Sequence, residues 1–310
     1  MTIVLAFSYL FHINDGILAG EIEQCARQIE AMKPNPAIQH ISNVLESKKI
    51  VFIGERHSTY SLHQLYDALL ESEEIQNKID DVMVEFLSSF HQPILDDYLI
   101  NLKPMSFEEI APLWRDVPGI FLEDGDNMAA YQFIQTARSV NEKLNKENRI
   151  RVLGGDSYLD WSKVNSQWDW GTALNRRDRR FLEVLWDEVI DRGHSAIAIL
   201  GRGHVKRIDP TPPNWINLVE LIDKRKPDQS HVIHLMYPEM ATVDWPAPSI
   251  LPVNDTCLAS LQLEKDYPDV RYGDQVDAVL FTGNKLKDIP TQPFPEGFVE
   301  ELKSRSRKIQ

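Results

Sequence analysis

Apolar residues fall along the chain in short unbroken runs, with longer amphipathic stretches between them. The runs are Lys49–Gly54 (KIVFIG), Asp81–Phe86 (DVMVEF), Ile150–Gly155 (IRVLGG), Ala196–Gly201 (AIAILG), His231–Tyr237 (HVIHLMY) and Val276–Thr282 (VDAVLFT). A strand with one wet face alternates apolar and polar residues, whereas a strand covered on both faces is apolar throughout. Runs of this length also occur in buried helices, but their Val and Ile content and flanking Gly favour strands. Ser58–Glu73 places Leu62, Leu65 and Leu69 at helical spacing behind a capping Ser. Asn127–Asn145 and Arg177–Arg192 have the same period, the latter with Phe181, Leu182, Leu185, Trp186 and Val189 as its stripe. Strands alternating with helices predict an α/β fold with a mostly parallel central sheet flanked by helices. The long interval from Pro93 to Gln135 predicts extra helices inserted between the second and third runs. Asp209–Pro213 and Pro238–Pro252 read as loops, because proline is rejected by helix interiors and inner strands. The expected layout is an N-terminal extension (1–34), one α/β domain (35–285) and a tail (286–310).

Charge narrows the partners. Lys plus Arg number 33 and Asp plus Glu 47, a formal charge of −14. Broad contact with a phosphate backbone is therefore disfavoured, and a small-molecule substrate is expected rather than nucleic acid. No stretch reaches the roughly 18 apolar residues of a membrane helix, so no transmembrane segment is expected, and nothing in the chain specifies an oligomeric state. Ile3–Phe11 (IVLAFSYLF) is the apolar segment nearest to a signal peptide, but no Lys or Arg precedes Arg27. Cytoplasmic residence is the expectation, with export through a weak signal as the alternative. The two cysteines, Cys25 and Cys257, are too few for a disulfide framework or a four-cysteine zinc site and read as structural.

Ligands of parallel sheets collect beyond the C-terminal strand ends, so the residues closing each run are the informative ones. The first run leads into Gly54-Glu55-Arg56-His57, the second carries Glu85, the third leads into Gly154-Gly155-Asp156, and the fourth into Gly201-Arg202-Gly203-His204. Taken singly, Glu55 reads equally as a helix-dipole carboxylate, His57 as a loop histidine and Asp156 as a cap. Glu85 is different, since a carboxylate inside an apolar run needs partners. Four successive strand ends bearing Glu, His, Glu, Asp and His point to one site made of Glu55, Arg56, His57, Glu85, Asp156 and His204. Arg56, Arg202, Lys206, Arg207 and the basic cluster Arg176–Arg180 suggest a locally cationic pocket. Trp161, Trp168 and Trp170 read as loop packing, with an aromatic wall over the site as the other reading. His231 and His234, three apart on a strand, point to opposite faces and read as packed residues. A GxSxG elbow, a phosphate-binding P-loop and a full dinucleotide fingerprint are all missing.

Gly54-x-x-His57 and Gly201-x-x-His204, with Glu85 between them, resemble the superfamily that joins ChaN-like proteins, TraB/Tiki proteins and erythromycin esterases, and the ChaN-like branch above all. Phe90–Leu99 after the second run, Asn175–Phe181 before the fourth, and Val276–Leu280 add to the likeness, which spans residues 35–285. It implies an α/β fold, and either hydrolysis of a small organic substrate at a His/Glu site or binding of haem or iron. Two versions of the hydrolase follow from the residue types. In one, His57, Glu85, His204 and Glu55 hold a divalent metal such as Zn, Mn, Co or Fe. In the other, His57 or Glu85 is a general base and the second histidine or an arginine stabilises the oxyanion. For the haem reading, Tyr60, Tyr66, Tyr158, His63 and His91 are the candidate axial ligands. A scaffold with a decayed site would have lost the strand-end residues, which are all present.

Overall fold

All six apolar runs become strands of one eight-stranded sheet, described from a computed structural model of the protein in which residues 16–56, 60–119, 124–208, 216–237, 240, 243–263, 269–283 and 294–309 are placed. The six are β2 (Ile50–Glu55), β3 (Asp81–Ser88), β4 (Arg151–Asp156), β5 (Ala196–Gly201), β6 (Ser230–Leu235) and β8 (Ala278–Phe281). They run parallel, in the order β8-β6-β2-β5-β3-β4. Two short strands were not expected. β7 (Ser249–Pro252) lies inside the proline-rich stretch read as a loop, and β1 (Asn35–Pro36) precedes the first run. They extend the sheet past β8 as an antiparallel margin, β7 on β8 and β1 on β7. Proline is tolerated there because a margin leaves backbone groups without ladder partners.

Alternate residues of the strands feed two cores. Val51, Ile53, Val82, Val84, Ile197, Ile199 and Ile233 share one with α2 (Ala37–Leu45), α3 (Tyr60–Glu71) and α8 (Asp124–Asn141). Ile50, Phe52, Met83, Leu153, Ala196, Ala198, Leu200 and Val232 face the other way, against Ile22, Cys25 and Ile29 of α1 (Gly16–Glu30) and against α10 (Arg177–Val184) and α11 (Leu218–Arg225). The first turn of α10 begins the predicted 177–192 helix, whose last turns, Leu185–Ile190, are π-helical. Short helices α4 (Glu73–Gln76), α9 (Gln167–Leu174) and α12 (Tyr272–Gln275) complete the connections. The insertion between β3 and β4 is helical, as α5 (Gln92–Leu99), α6 (Phe107–Ile110), α7 (Pro112–Arg115) and α8. α13 (Glu296–Ile309) follows Phe294, and both Phe294 and Phe298 are buried against Phe107, Trp114 and Tyr131.

Cys25 and Cys257, both read as structural, form one disulfide across 232 residues that ties α1 to the turn before α12. The count of two that argues against a framework of bridges is compatible with a single one. No described helix is long and apolar enough to cross a membrane.

Two glycines are required by close approach. β3 and β4 pair Val84 with Gly154 and then Ser88 with Asp156, so four steps on β3 match two on β4. Such a bulge re-aims the side chains within it, and Glu85 is one of them. A Cβ on Gly154 would lie 2.6 Å from the Ser88 carbonyl oxygen, a backbone contact that cannot relax by rotation. On β2, a Cβ at Gly54 would lie 2.5 Å from the His234 ring.

Candidate functional site

The register places the C-terminal ends of β2, β5, β3 and β4 side by side. Glu85 and Asp156 meet there, and the residue that joins them is Arg177, at the first turn of α10. Its Nε donates to both Asp156 carboxylate oxygens (3.0 and 3.1 Å), and a terminal nitrogen donates to Glu85 Oε1 (2.6 Å). Glu85 Oε2 accepts from the Gly201 backbone N–H at 2.5 Å. Glu85 is 1% exposed and Asp156 is fully buried. Burial acts to strip Arg177 of its proton, but the carboxylates of Asp156 and Glu85 outweigh it and hold the guanidinium charged. Burial likewise raises Asp156, partly offset by Arg177.

His204 sits in the turn Gly201–Val205 beyond β5, where its N–H donates to the Gly201 carbonyl. Its Nδ1 is bonded to Asp178, the next residue of α10, and its Nε2 lies 3.9 Å from Glu85 Oε1. The ring packs edge-on to Phe181, one turn along that helix, and the side chain keeps 24% of its exposure. Burial pulls its pKa down, yet Asp178 and Glu85 together lift it above 6.5. The Arg177-Asp178 pair therefore does two jobs from adjacent positions: one residue neutralises Glu85 and Asp156, and the other orients His204.

A third element holds the turn. His234 of β6 is buried over Gly54, and its Nε2 is 2.6 Å from the Val205 carbonyl. Burial lowers its pKa to about 3, so the ring is neutral and Nε2–H donates. His234 thus fixes the residue next to His204, and Gly54 is what makes room for it. From the sequence, Arg177 stands only within the basic cluster Arg176–Arg180 and Asp178 has no role, although both lie in the segment that resembles the helix opening of known families. His234 reads there as packing, and nothing in the pattern reveals the Val205 bond.

Glu55 shares the face of Val51 and Ile53, and accepts from the Tyr66 hydroxyl of α3 at 2.9 Å. It is held from the side of the sheet opposite α10. Its carbonyl accepts from Arg202 N–H, which links β2 to the His204 turn. Arg56 is exposed, and His57 lies outside the described residues. Three of the basic residues expected to make a cationic pocket are engaged by neighbouring groups. Arg177 is spent on two carboxylates, Arg202 lies over the Tyr237 ring (4.2 Å), and Arg207 pairs with Asp223 and Asp277. Trp161 and Trp170 donate to the carbonyls of Val117 and Pro118, which is loop packing, while Trp168 is exposed.

His57 of the expected donor set lies outside the described residues, and the carboxylates that are described already have partners. Both oxygens of Glu85 and one of Glu55 already accept hydrogen bonds, and among the described residues no group of three His, Cys, Asp or Glu is arranged around a common point.

No protein-family model matches the chain, and no curated protein matches it. Solved structures do. A Bacillus cereus protein superposes over 84% of this chain and 97% of its own, with a TM-score of 0.56 and 11% identity. A succinoglycan biosynthesis protein covers 86% and 97%, with a TM-score of 0.54 and 8% identity. ChaN of Campylobacter jejuni, solved with cofacially bound haem, covers 78% and 91% at 15% identity, with a TM-score of 0.43. At these identities the likeness is one of fold, a mixed α/β fold with a mostly parallel sheet.

Proposed function

We propose that the protein is a hydrolase of small organic substrates whose chemistry centres on His204. The observation that carries this reading is the Asp178–His204 pair: a partly exposed imidazole, oriented through Nδ1 by one carboxylate, with Nε2 directed toward a buried second one. Asp178 and Glu85 favour its protonated form, and His204 serves as the acid. It donates Nε2–H to the oxygen that leaves as water adds to the substrate and the scissile bond breaks. His57 is the candidate for taking the proton from that water, on sequence alone. Glu85, tied to Arg177 and Gly201, supplies negative charge rather than a free base, and no step is assigned to a metal. The test is turnover of a panel of carboxylic, phosphoric and glycosidic p-nitrophenyl substrates in chelator-treated buffer. His204→Ala is expected to lose ~10²–10⁴-fold, the usual worth of a positioned acid or base. Full activity in His204→Ala would overturn the assignment.

A second reading, haem binding, is favoured by one surface feature. Phe90 is 64% and Tyr158 45% exposed, their ring centroids are 4.6 Å apart, and the His91 ring lies 6.0 Å from Tyr158. Two exposed aromatic rings, one of them a phenol, tilted 41° to each other, offer an apolar contact for a porphyrin and an axial oxygen ligand. Tyr158 is the ligand in this reading, because the Tyr66 hydroxyl is on Glu55 and His91 Nε2 is on Asp116 at 2.7 Å. Haemin titration should give a shifted Soret band that Tyr158→Ala abolishes; an unshifted band in the wild type disposes of the idea.

The Cys25–Cys257 disulfide favours export over the cytoplasm, where thiols are kept reduced. Acid-quenched cells, alkylated before and after reduction, should show both cysteines blocked only after reduction.

A further inference from the structure

At the opposite end of the sheet, two histidines from separate elements present the same atom to each other. His40 lies on α2 and His231 is the second residue of β6; their Nε2 atoms are 3.4 Å apart and their rings are tilted at 46°. We infer that His40 and His231 form a binding site for a late first-row divalent cation, Zn²⁺ or Cu²⁺, that bridges α2 and β6. Two imidazole nitrogens bonded at ~2.0–2.1 Å to a tetrahedral ion stand about 3.3–3.4 Å apart. The observed spacing is that bite, reached without moving either backbone.

A polar side chain lies near the far nitrogen of each ring. His231 Nδ1 is 3.6 Å from Asp277 Oδ2, the carboxylate that behind a metal-bound histidine fixes the tautomer and raises ligand basicity. Asp277 is itself anchored by Arg207 and by the Val232 N–H. His40 Nδ1 is 3.5 Å from the Asn35 side-chain amide nitrogen. Turning that amide over offers its oxygen to Nδ1–H and frees the His40 Nε2 lone pair, at the cost of one local rotation. Burial lowers the pKa of both rings, His231 to about 4, so the neutral form that binds metal is the resting one. Lys48 and Arg207 oppose an ion at this place, and Asp277 and Asp223 offset them. His40 is only partly buried, which leaves water for the remaining coordination positions.

The test uses the full chain, stripped with chelator and titrated with Zn²⁺ and, for spectroscopy, Cu²⁺. The wild type should bind one equivalent with a rise in Tm, and zinc should slow carbethoxylation of both His40 and His231, read by peptide mass spectrometry. The Cu²⁺ spectrum should show two coupled nitrogens. His40→Gln and His231→Gln should weaken binding at least ~10-fold, as loss of supporting groups alone does, while His204→Ala should leave it intact. The protection assay needs no variant and so does not depend on the variants folding. Unchanged carbethoxylation rates with zinc, or undiminished binding in both Gln variants, would overturn the assignment.

Discussion

Replacing Arg177 by Met removes the guanidinium bonded to both buried carboxylates and keeps most of the side-chain volume. Glu85 and Asp156 then retain the Gly201 and Ser157 N–H groups, and Glu85 keeps His204 at 3.9 Å, but the guanidinium bonded to both carboxylates is gone. Breaking a buried ion pair from one side costs about 3–5 kcal/mol, against a total stability on the order of 5–15 kcal/mol. The loss is bounded because a carboxyl can protonate instead of remaining charged. From an ordinary pKa near 3.9, that costs about 1.4 kcal/mol for each pH unit above it, or roughly 5–6 kcal/mol at pH 8. A carboxyl whose folded pKa is raised holds its proton more tightly in the native state, so stability rises as pH falls through that folded pKa. Arg177→Met should therefore be ~3–5 kcal/mol less stable than wild type at pH 8 and recover most of that deficit by pH 5. In the wild type, Arg177 offsets the burial that raises Asp156, so its slope should be smaller. Urea unfolding followed by tryptophan fluorescence from pH 8 to 5 measures both. A deficit under ~1 kcal/mol at pH 8, or one that does not change with pH, would refute the account of the buried triad.

Asp178→Asn removes the larger of the two carboxylate effects that raise His204, so burial should take its pKa below the wild-type value in an NMR titration; an unmoved titration would refute the pair. The same raised pKa means that the stability His204 contributes is fully present below ~6.5 and lost as pH rises through its folded value, and Asp178→Asn should flatten that fall. Gly154→Ala forces a Cβ onto the Ser88 carbonyl and should cost about 1–3 kcal/mol or more in Tm-derived stability, whereas Gly171→Ala, with open space around it, should not. Removing the disulfide with Cys25→Ala and Cys257→Ala releases a loop of 232 residues, worth about 5 kcal/mol on a chain-entropy view. A midpoint in guanidinium unchanged by the double substitution would mean that the denatured chain gains nothing from the release.

Six strands, the inserted helices and the parallel direction of the strands were legible because each depends on local chemistry. A run such as AIAILG can be buried on both faces only in a covered sheet, and Ser58–Glu73 has one apolar face only as a helix. β7 was not legible because Ser249–Pro252 owes its extended form to pairing with β8 across about 30 residues of chain, and Pro252 with the prolines just before the strand locally argue against one. Glu85, Asp156 and His204 could be picked out as strand-end polar residues. Their grouping through Arg177 could not, since a guanidinium at a helix start looks the same whether it meets solvent or two buried carboxylates.

Composition and apolar periodicity determined the class of fold and the end of the sheet at which Glu85, Asp156 and His204 stand, because burial and backbone pairing follow from residue type and spacing. Tertiary structure alone decided which charges cancel. It spends Arg177 inside the site and lifts His204 between two carboxylates, and it sets His40 against His231 from 191 residues away, since Coulomb and coordination energies depend on distances in space that spacing along the chain does not encode.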